Sequence, residues 1–329
     1  LAGTGPALGL GEVRSTSAPS KIALVIGTSG TTGMSKEVAF TASALLASAR
    51  ASNKFLGAKA GQQWSLFLPL THIAAVNVII RSMELGTLPI DLREHQGEYP
   101  KVDFTSIVPT QLFRALNSDE RLLRHLQSAQ AVLVGGAALS PALSQQAVTA
   151  GINVVETYGM TETSGGCIYN GKAIEGVEYS LNDKSLVQIR GSVMSETYLN
   201  APELYTRIDG WFITNDLGEI KDGKLHILGR ADDVIISGGE NLSLTAIEAT
   251  LSIRYPEIEF AAFAVNDIQW GHALHLAVVG QIGESEIDQY LEAALGAASK
   301  PKGIHHLEQL PLLGIGKVDR SALAKMVGN

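Results

Sequence analysis

The sequence predicts an α/β protein with three parts. A large N-terminal body carries mostly parallel, helix-covered sheets, a small antiparallel β region follows, and a smaller α+β domain closes the chain. Three observations predict this. Short, continuous apolar runs alternate with helix-forming segments through the first half, the texture changes to short alternating strands after Gly171, and it changes again after Arg230. Of the 329 residues, 45% are hydrophobic and 18% charged. That is enough apolar material for a sizeable core and too little charge for a disordered chain. A chain of this length calls for two domains, expected here as residues 1–231 and 232–329.

Residues 1–20 are rich in Gly, Ala, Ser, Thr and Pro and read as a poorly ordered or wrapping arm. Residues 22–27 (IALVIG) form a continuous β-branched run of the kind buried on both faces of a sheet. A Gly/Ser/Thr loop and a helix over residues 38–52 are expected next. Further short strands are expected at residues 65–70, 87–91, 105–109, 131–135 and 153–157. Between the last two, Ser140-Pro141 is a helix-start signal, because Ser caps free N–H groups and Pro fits the first turn. Strands at 187–190, 211–215 and 225–228 look antiparallel, with Asp222-Gly223 as a hairpin turn. Beyond Arg230 the expected order is strand 234–237, helix 244–253, strands 260–265 and 274–280, helix 286–298, a short strand near His306 and a helix from Ser321.

Charge and composition exclude some classes of function. The formal charge of −8 argues against a general nucleic-acid or membrane-surface binder, both of which need basic faces. No run of 18 apolar residues calls for a membrane span, and the first residues lack the pattern of a signal peptide. Cys167 is the single cysteine, so no internal disulfide forms. That fits a reducing compartment, and a cytoplasmic location is expected.

Four segments carry chemistry. In Thr28-Ser29-Gly30-Thr31-Thr32-Gly33-Met34-Ser35-Lys36, hydroxyls and exposed amides between strand and helix can cradle phosphate oxygens, with Lys36 adding charge. The G-K-[S/T] ending of a Walker A loop is absent. In Glu156-Thr157-Tyr158-Gly159-Met160-Thr161-Glu162-Thr163, Glu162 is a hard oxygen ligand suited to Mg²⁺ and Tyr158 offers a flat face to an adenine. Residues 229–241 place Arg230, Asp232 and Asp233 beside Gly238-Gly239 at the domain boundary. Gly314-Ile315-Gly316-Lys317-Val318-Asp319-Arg320 brackets a lysine near the C-terminus. Taken singly, each also reads as ordinary scaffold: a flexible turn, a strand–loop with surface carboxylates, a solvated lysine.

In this order and spacing the chain resembles the acyl-adenylating superfamily of acyl-CoA synthetases, luciferases and peptide-synthetase adenylation domains. The phosphate-loop pattern T-S-G-[S/T]-T-G-x-P-K-G matches residues 28–37 and Y-G-x-T-E matches residues 158–162. The ribose aspartate corresponds to Asp216, the hinge motif to residues 229–240 and the C-terminal catalytic lysine to Lys317. Residues 164–171 (SGGCIYNG), the compact N-terminal region and residues 237–241 resemble in particular the 2-succinylbenzoate–CoA ligases of menaquinone biosynthesis. Three positions depart from the pattern: Ser35 stands in place of Pro, Glu37 in place of Gly and Asn215 in place of Gly. Glu37 sets a negative charge beside the phosphate-loop lysine, which is expected to weaken its phosphate contact.

The resemblance implies an ATP-dependent, AMP-forming acid–thiol ligase that uses ATP, Mg²⁺ and coenzyme A. Its partners would be small molecules, with no nucleic acid and no membrane span, and a homo-oligomer is compatible with it. Lys317, Glu162 and Thr161 are the implied catalytic residues, with Glu162 on the metal. Thr28, Ser29, Gly30, Thr31, Thr32, Gly33 and Lys36 would hold phosphates. Gly135, Gly136, Ala137, Thr157, Tyr158 and Gly159 would border adenine, and Asp216 and Arg230 the ribose. His72, with Ser164, Gly165 and Gly166, is expected at the acyl pocket, where a dicarboxylate also needs a basic residue that the sequence does not single out. For His72 a helix-start role satisfied by local backbone is the alternative. Ser237, Gly238 and Gly239 would meet coenzyme A once the C-terminal domain turns about Asp232. Another aryl or aliphatic acid, or a carrier-protein acceptor, is the nearest alternative. A nucleotide sensor without turnover is the alternative from a different class.

Overall fold

The computed structural model describes residues 5–28, 35–268, 270–313 and 317–327, and for Lys317 the backbone alone. The first sheet is built from β1 (Leu8–Leu10), β2 (Ile22–Thr28), β3 (Lys36–Thr41) and β13 (Thr197–Tyr198), in that order. Here the structure corrects two expectations. The run at 22–27 does not join the parallel sheet but turns back as an antiparallel hairpin with β3 around the 29–34 segment. The expected helix therefore starts late, as α1 (Ala42–Phe55), with Thr41 capping Ala44 N–H at 3.2 Å. Residues 37–40 are all buried, and a strand with neighbours on both edges satisfies their backbone groups as fully as a helix would. The arm wraps: β1 pairs parallel with β2.

The second sheet runs β10 (Lys172–Ala173), β9 (Gly165–Tyr169), β8 (Val154–Met160), β7 (Ala131–Val134), β6 (Phe104–Ile107), β4 (Trp64–Leu66), β5 (Ile90–Asp91). The strands from β8 to β5 are parallel. The period of two explains its coverage. Ala131 and Leu133 pack with Ala75 and Val78 of α2 (Ile73–Glu84) on one face. Val132 and Val134 pack on the other with Leu112 of α3 (Pro109–Asn117), Leu122 and Leu126 of α4 (Glu120–Ser128) and Ala147 of α5 (Pro141–Thr149). As expected, Ser140 caps α5, accepting from Leu143 N–H at 3.2 Å, with Pro in the first turn. Such a cap contributes about 1 kcal/mol.

An antiparallel sheet follows, ordered β11 (Val177–Leu181), β12 (Leu186–Gly191), β15 (Trp211–Lys221), β14 (Arg207–Ile208), with β16 (Lys224–Arg230) also on β15. Asp222-Gly223 closes the β15–β16 hairpin, both at positive φ (52° and 69°), which suits a two-residue turn.

The last sheet runs β18 (Glu240–Ser243), β17 (Val234–Ser237), β20 (Gly271–Val279), β19 (Glu259–Asp267), with β21 (Gly303–His306) parallel to β20. α6 (Leu244–Arg254) and α7 (Glu284–Leu295) bury Ile247, Leu251, Ile287 and Leu291 against one face. α8 (Arg320–Val327) lays Leu323 on the other, after the small hairpin of β22 (Leu312–Leu313) and β23 (Lys317–Val318). No helix among the described residues is long and apolar enough to cross a membrane.

Candidate active site

A cleft of about 1210 Å³ opens at the C-terminal ends of β7 and β8 and is bounded on its far side by Asp233, Glu248 and Arg320. Of the residues expected at the site, Thr28, Lys36, His72, Gly135, Gly136, Ala137, Thr157, Tyr158, Gly159, Thr161, Glu162, Gly165, Gly166, Asp216 and Arg230 line it. Ser29, Gly30, Thr31, Thr32 and Gly33 lie outside the described residues, as does the Lys317 side chain.

At the nucleotide end, Thr157 Oγ1 donates to the Val134 carbonyl at 3.2 Å and ties β8 to β7 where the turn at Gly135 begins. The Tyr158 hydroxyl donates to Asp216 Oδ2 at 2.6 Å. Burial, and then the Asp216 charge, pushes the Tyr158 phenol far above its ordinary pKa, so it is a permanent donor. Asp216 on β15 faces Arg230 on β16 in direct register, with Arg230 Nη1 3.3 Å from Oδ1. The same guanidinium forks onto Asp232 at 2.6 and 2.7 Å, which raises its pKa. Asp216 is therefore held from both sides, and Asp232 is joined to it through Arg230.

Glu162 sits in a 3₁₀ turn (Thr161–Thr163) that is pinned from several directions. Its carbonyl accepts from Ser195 N–H at 2.7 Å. Thr163 Oγ1 accepts from Met160 N–H at 2.9 Å and donates to the Gly165 carbonyl at 2.7 Å. Gly159 must be glycine, because a Cβ there would lie 2.2 Å from the Gly165 carbonyl oxygen. The Glu162 carboxylate accepts from the Tyr198 hydroxyl at 2.6 Å, and Lys36 Nζ stands 4.8 Å from the centre of the Tyr198 ring.

Glu37 does not set its charge beside Lys36 as expected. Strand alternation sends it to the face opposite Lys36, where it is 1% exposed and accepts from the Arg14 and Ser15 amides at 2.6 and 3.1 Å. Burial alone would push its carboxyl up. The donors from Ser15 and Arg14 outweigh burial and hold it below the ordinary range. Asn200 completes the clamp, accepting from Glu37 N–H at 2.9 Å and donating to the Ser35 carbonyl at 2.6 Å.

The acyl end is lined by one face of α2 and by β9. His72 precedes the first turn without a capping hydrogen bond, so its imidazole is not satisfied there by local backbone, and burial pushes it below its ordinary pKa, favouring the neutral form. The expected donor Ser164 is a correction. In a left-handed conformation (φ 52°) it buries its hydroxyl against the Val193 carbonyl at 2.6 Å, while its own carbonyl accepts from Ser48 and Asn77. It holds the turn; Gly165 and Gly166 face the cleft. Cys167 is wholly buried and does not line the cleft, and burial pushes its thiol up to about 12, away from the thiolate that a nucleophile needs. Ser237, Gly238 and Gly239 form the β17–β18 turn, and Gly238 N–H bonds to the Trp270 carbonyl at 3.1 Å; the turn does not line the cleft.

The sequence reading missed Arg81. It is 3% exposed at the base of the acyl end, donates from Nη2 to the Tyr169 hydroxyl at 2.9 Å and stacks over Trp64 at 5.2 Å. Its buried Nε has no hydrogen-bond partner, and among the described residues no carboxylate pairs with it. One signal was available: Ile73, Asn77 and Arg81 follow at steps of four, a single helix face, and Arg81 is the only charged residue in residues 73–83.

The AMP-binding enzyme family matches residues 5–197. This chain belongs to the AMP-binding enzymes. Among the relatives of this AMP-binding enzyme, a probable 2-succinylbenzoate–CoA ligase of Mycobacterium tuberculosis (strain CDC 1551 / Oshkosh) is 36% identical over 328 residues, covering 92% of this chain and 84% of that one. The 2-succinylbenzoate–CoA ligase of Lactococcus lactis subsp. lactis is 29% identical, covering 92% and 71%. The o-succinylbenzoate CoA synthetase of Bacillus subtilis, solved with its acyl-adenylate intermediate, superimposes with a TM-score of 0.77 at 25% identity, over 92% of this chain and 68% of that one. An amide bond synthetase of Marinactinospora thermotolerans shares the fold, with a TM-score of 0.82 at 22% identity.

Proposed function

We propose that this AMP-binding enzyme is an ATP-dependent acid–CoA ligase whose acid is 2-succinylbenzoate, serving menaquinone biosynthesis. One observation carries the choice of acid: Arg81, a buried cation without a carboxylate partner among the described residues, at the closed end of the acyl pocket. A substrate with two carboxylates, only one of which is activated, supplies the missing anion. The names of the relatives point to the same acid.

A carboxylate is a poor electrophile and is repelled by a triphosphate, so the protein's task is alignment and charge neutralisation. The free carboxylate oxygen attacks the α-phosphorus of ATP in line. The bond to the bridging oxygen breaks and pyrophosphate leaves, giving an acyl-AMP. The sulfur of coenzyme A then attacks the acyl carbon, its proton is lost, and AMP leaves with the C–O bonding pair. Lys36, Thr28 and residues 29–33 hold the β- and γ-phosphates, Tyr158 and residues 135–137 border adenine, and Asp216 with Arg230 orients the ribose. Lys317 meets the α-phosphate and the attacking carboxylate. Among the described residues no group of three or more His, Cys, Asp or Glu side chains converges to cage a metal. Mg²⁺ takes few protein carboxylates and several phosphate and water oxygens. Glu162, aided by Thr161, is the residue to hold it, and when bound the ion supplies Lewis-acid neutralisation of the phosphates.

Residues 232–329 act as a mobile domain hinged at Asp232. Rotation withdraws Lys317 and brings Ser237, Gly238 and Gly239 to the pantetheine arm, a step of the kind that often limits turnover. The enzyme acts in the cytoplasm.

The test is thioester formation from ATP, Mg²⁺, coenzyme A and 2-succinylbenzoate, wild type beside Lys317→Ala. We expect a CoA thioester from the wild type and a loss on the order of 10²–10³ in the variant. Pyrophosphate release with a different acid would overturn the choice of substrate, and ATP binding with no turnover on any acid would overturn the ligase reading.

A further inference from the structure

Two charged groups of opposite sign converge on one side chain, and they do not pair with each other. Tyr198 is 2% exposed on β13, the strand next to β3, and pairs with Val38 two residues from Lys36. Its ring face carries the Lys36 ammonium at 4.8 Å, and its hydroxyl donates to Glu162 Oε1 at 2.6 Å. The ring itself is fixed by an edge-on contact with Tyr205 at 5.0 Å, whose hydroxyl is anchored at the Ser195 carbonyl at 2.6 Å. Lys36 forms no ion pair with Glu162 or with any other carboxylate among the described residues. In a half-buried cleft the attraction between a lysine and a glutamate is far stronger than in water, so something must keep these two apart.

We infer that Tyr198 is a positioning residue that separates the phosphate-binding cation from the metal-binding carboxylate, holding each aimed at the nucleotide. The π face attracts the ammonium through its quadrupole, and the hydroxyl, a donor whose proton is fixed by the adjacent charge, holds one carboxylate oxygen. Both contacts are weaker than the ion pair they replace, so incoming phosphate and Mg²⁺ do not have to break that pair first. Without the ring, Lys36 and Glu162 would neutralise each other. The inference rests on the ligase reading above, which assigns Lys36 to phosphate and Glu162 to the metal.

Equilibrium binding of ATP, with and without Mg²⁺ and with neither acid nor coenzyme A, tests it by calorimetry. Tyr198→Phe keeps the ring and loses the hydroxyl. It is expected to weaken Mg²⁺-dependent binding about tenfold while leaving Mg²⁺-free ATP binding unchanged. Tyr198→Leu removes the separator, and both forms are expected to bind about tenfold or more weakly. The decisive variant is Tyr198→Leu with Glu162→Gln. Removing the competing carboxylate frees Lys36, so Mg²⁺-free ATP binding returns to the wild-type value. A merely structural tyrosine gives no such rescue, and failure of the rescue overturns the inference, as does a Tyr198→Phe protein that binds MgATP like the wild type. If Tyr198→Leu does not fold, Tyr198→Phe with and without Mg²⁺ decides. A wild type that binds no ATP sinks the ligase reading itself, and the inference with it.

Discussion

The two ends of the cleft manage charge in opposite ways. At the nucleotide end the carboxylates already have partners: Asp216 has Tyr158 and Arg230, and Glu162 has Tyr198. At the acyl end Arg81 is buried with a tyrosine hydroxyl beside it and an Nε that bonds to nothing. Paired groups keep their geometry whether or not ligand is present. A buried cation without an anion costs free energy until one arrives. The nucleotide end is thus built for position, and the acyl end for selection.

That contrast can be broken most directly at Arg81. Arg81→Met should lower kcat/KM for 2-succinylbenzoate by about 10²-fold, the 2–5 kcal/mol typical of losing one partner of a buried charge pair. The KM for ATP should hardly move. Because the variant also removes an unpaired buried charge, its Tm without ligand should equal or exceed that of the wild type. A variant that loses ATP affinity and dicarboxylate selectivity alike would make Arg81 scaffold.

Asp216→Asn should act at the other end. Losing charge-assisted hydrogen bonds worth about 1.5–3 kcal/mol should raise the KM for ATP about tenfold or more, with acid selectivity intact. Initial rates with ATP varied at saturating acid would show it.

The smallest effect belongs to His72. Burial holds its pKa below the ordinary 6.5. Between 6.5 and that lower folded value, the unfolded chain takes up a proton that the folded chain does not, so stability falls as pH falls. Relative to His72→Gln, the wild type should lose Tm as pH is lowered through 6.5, and the two should run parallel above it. Thermal scans from pH 8 to 5.5 would reveal a constant difference if the imidazole titrated alike in the folded and unfolded chain.

Much of this molecule could be read before folding, and the limits have a physical cause. Runs such as AVLV at 131–134 announce a strand buried on both faces because their neighbours hardly matter. Ser140-Pro141 and Asp222-Gly223 are local chemistry, and both did what local chemistry dictates. Residues 38–41 were misread as helix because their partner strand, not their own periodicity, decides them. Arg81 gains its meaning from Tyr169, 88 positions away, and Tyr198 from Glu162, 36 away. Ser164 looked like a donor to substrate because its sequence neighbours are glycines. Its actual partner, Val193, is invisible at that range.

The Glu37 clamp makes the arm a foundation stone of the nucleotide site. A Cβ at Gly27 would lie 2.4 Å from the Glu12 carbonyl oxygen, so the arm presses on the strand that enters the phosphate loop. Glu37 grips the same arm from the strand that leaves it. Cutting away residues 1–15, far from any reacting atom, would leave the buried Glu37 carboxylate without its donors and loosen both stems of the loop. A change at the chain's outermost reach would then register as a defect in handling ATP.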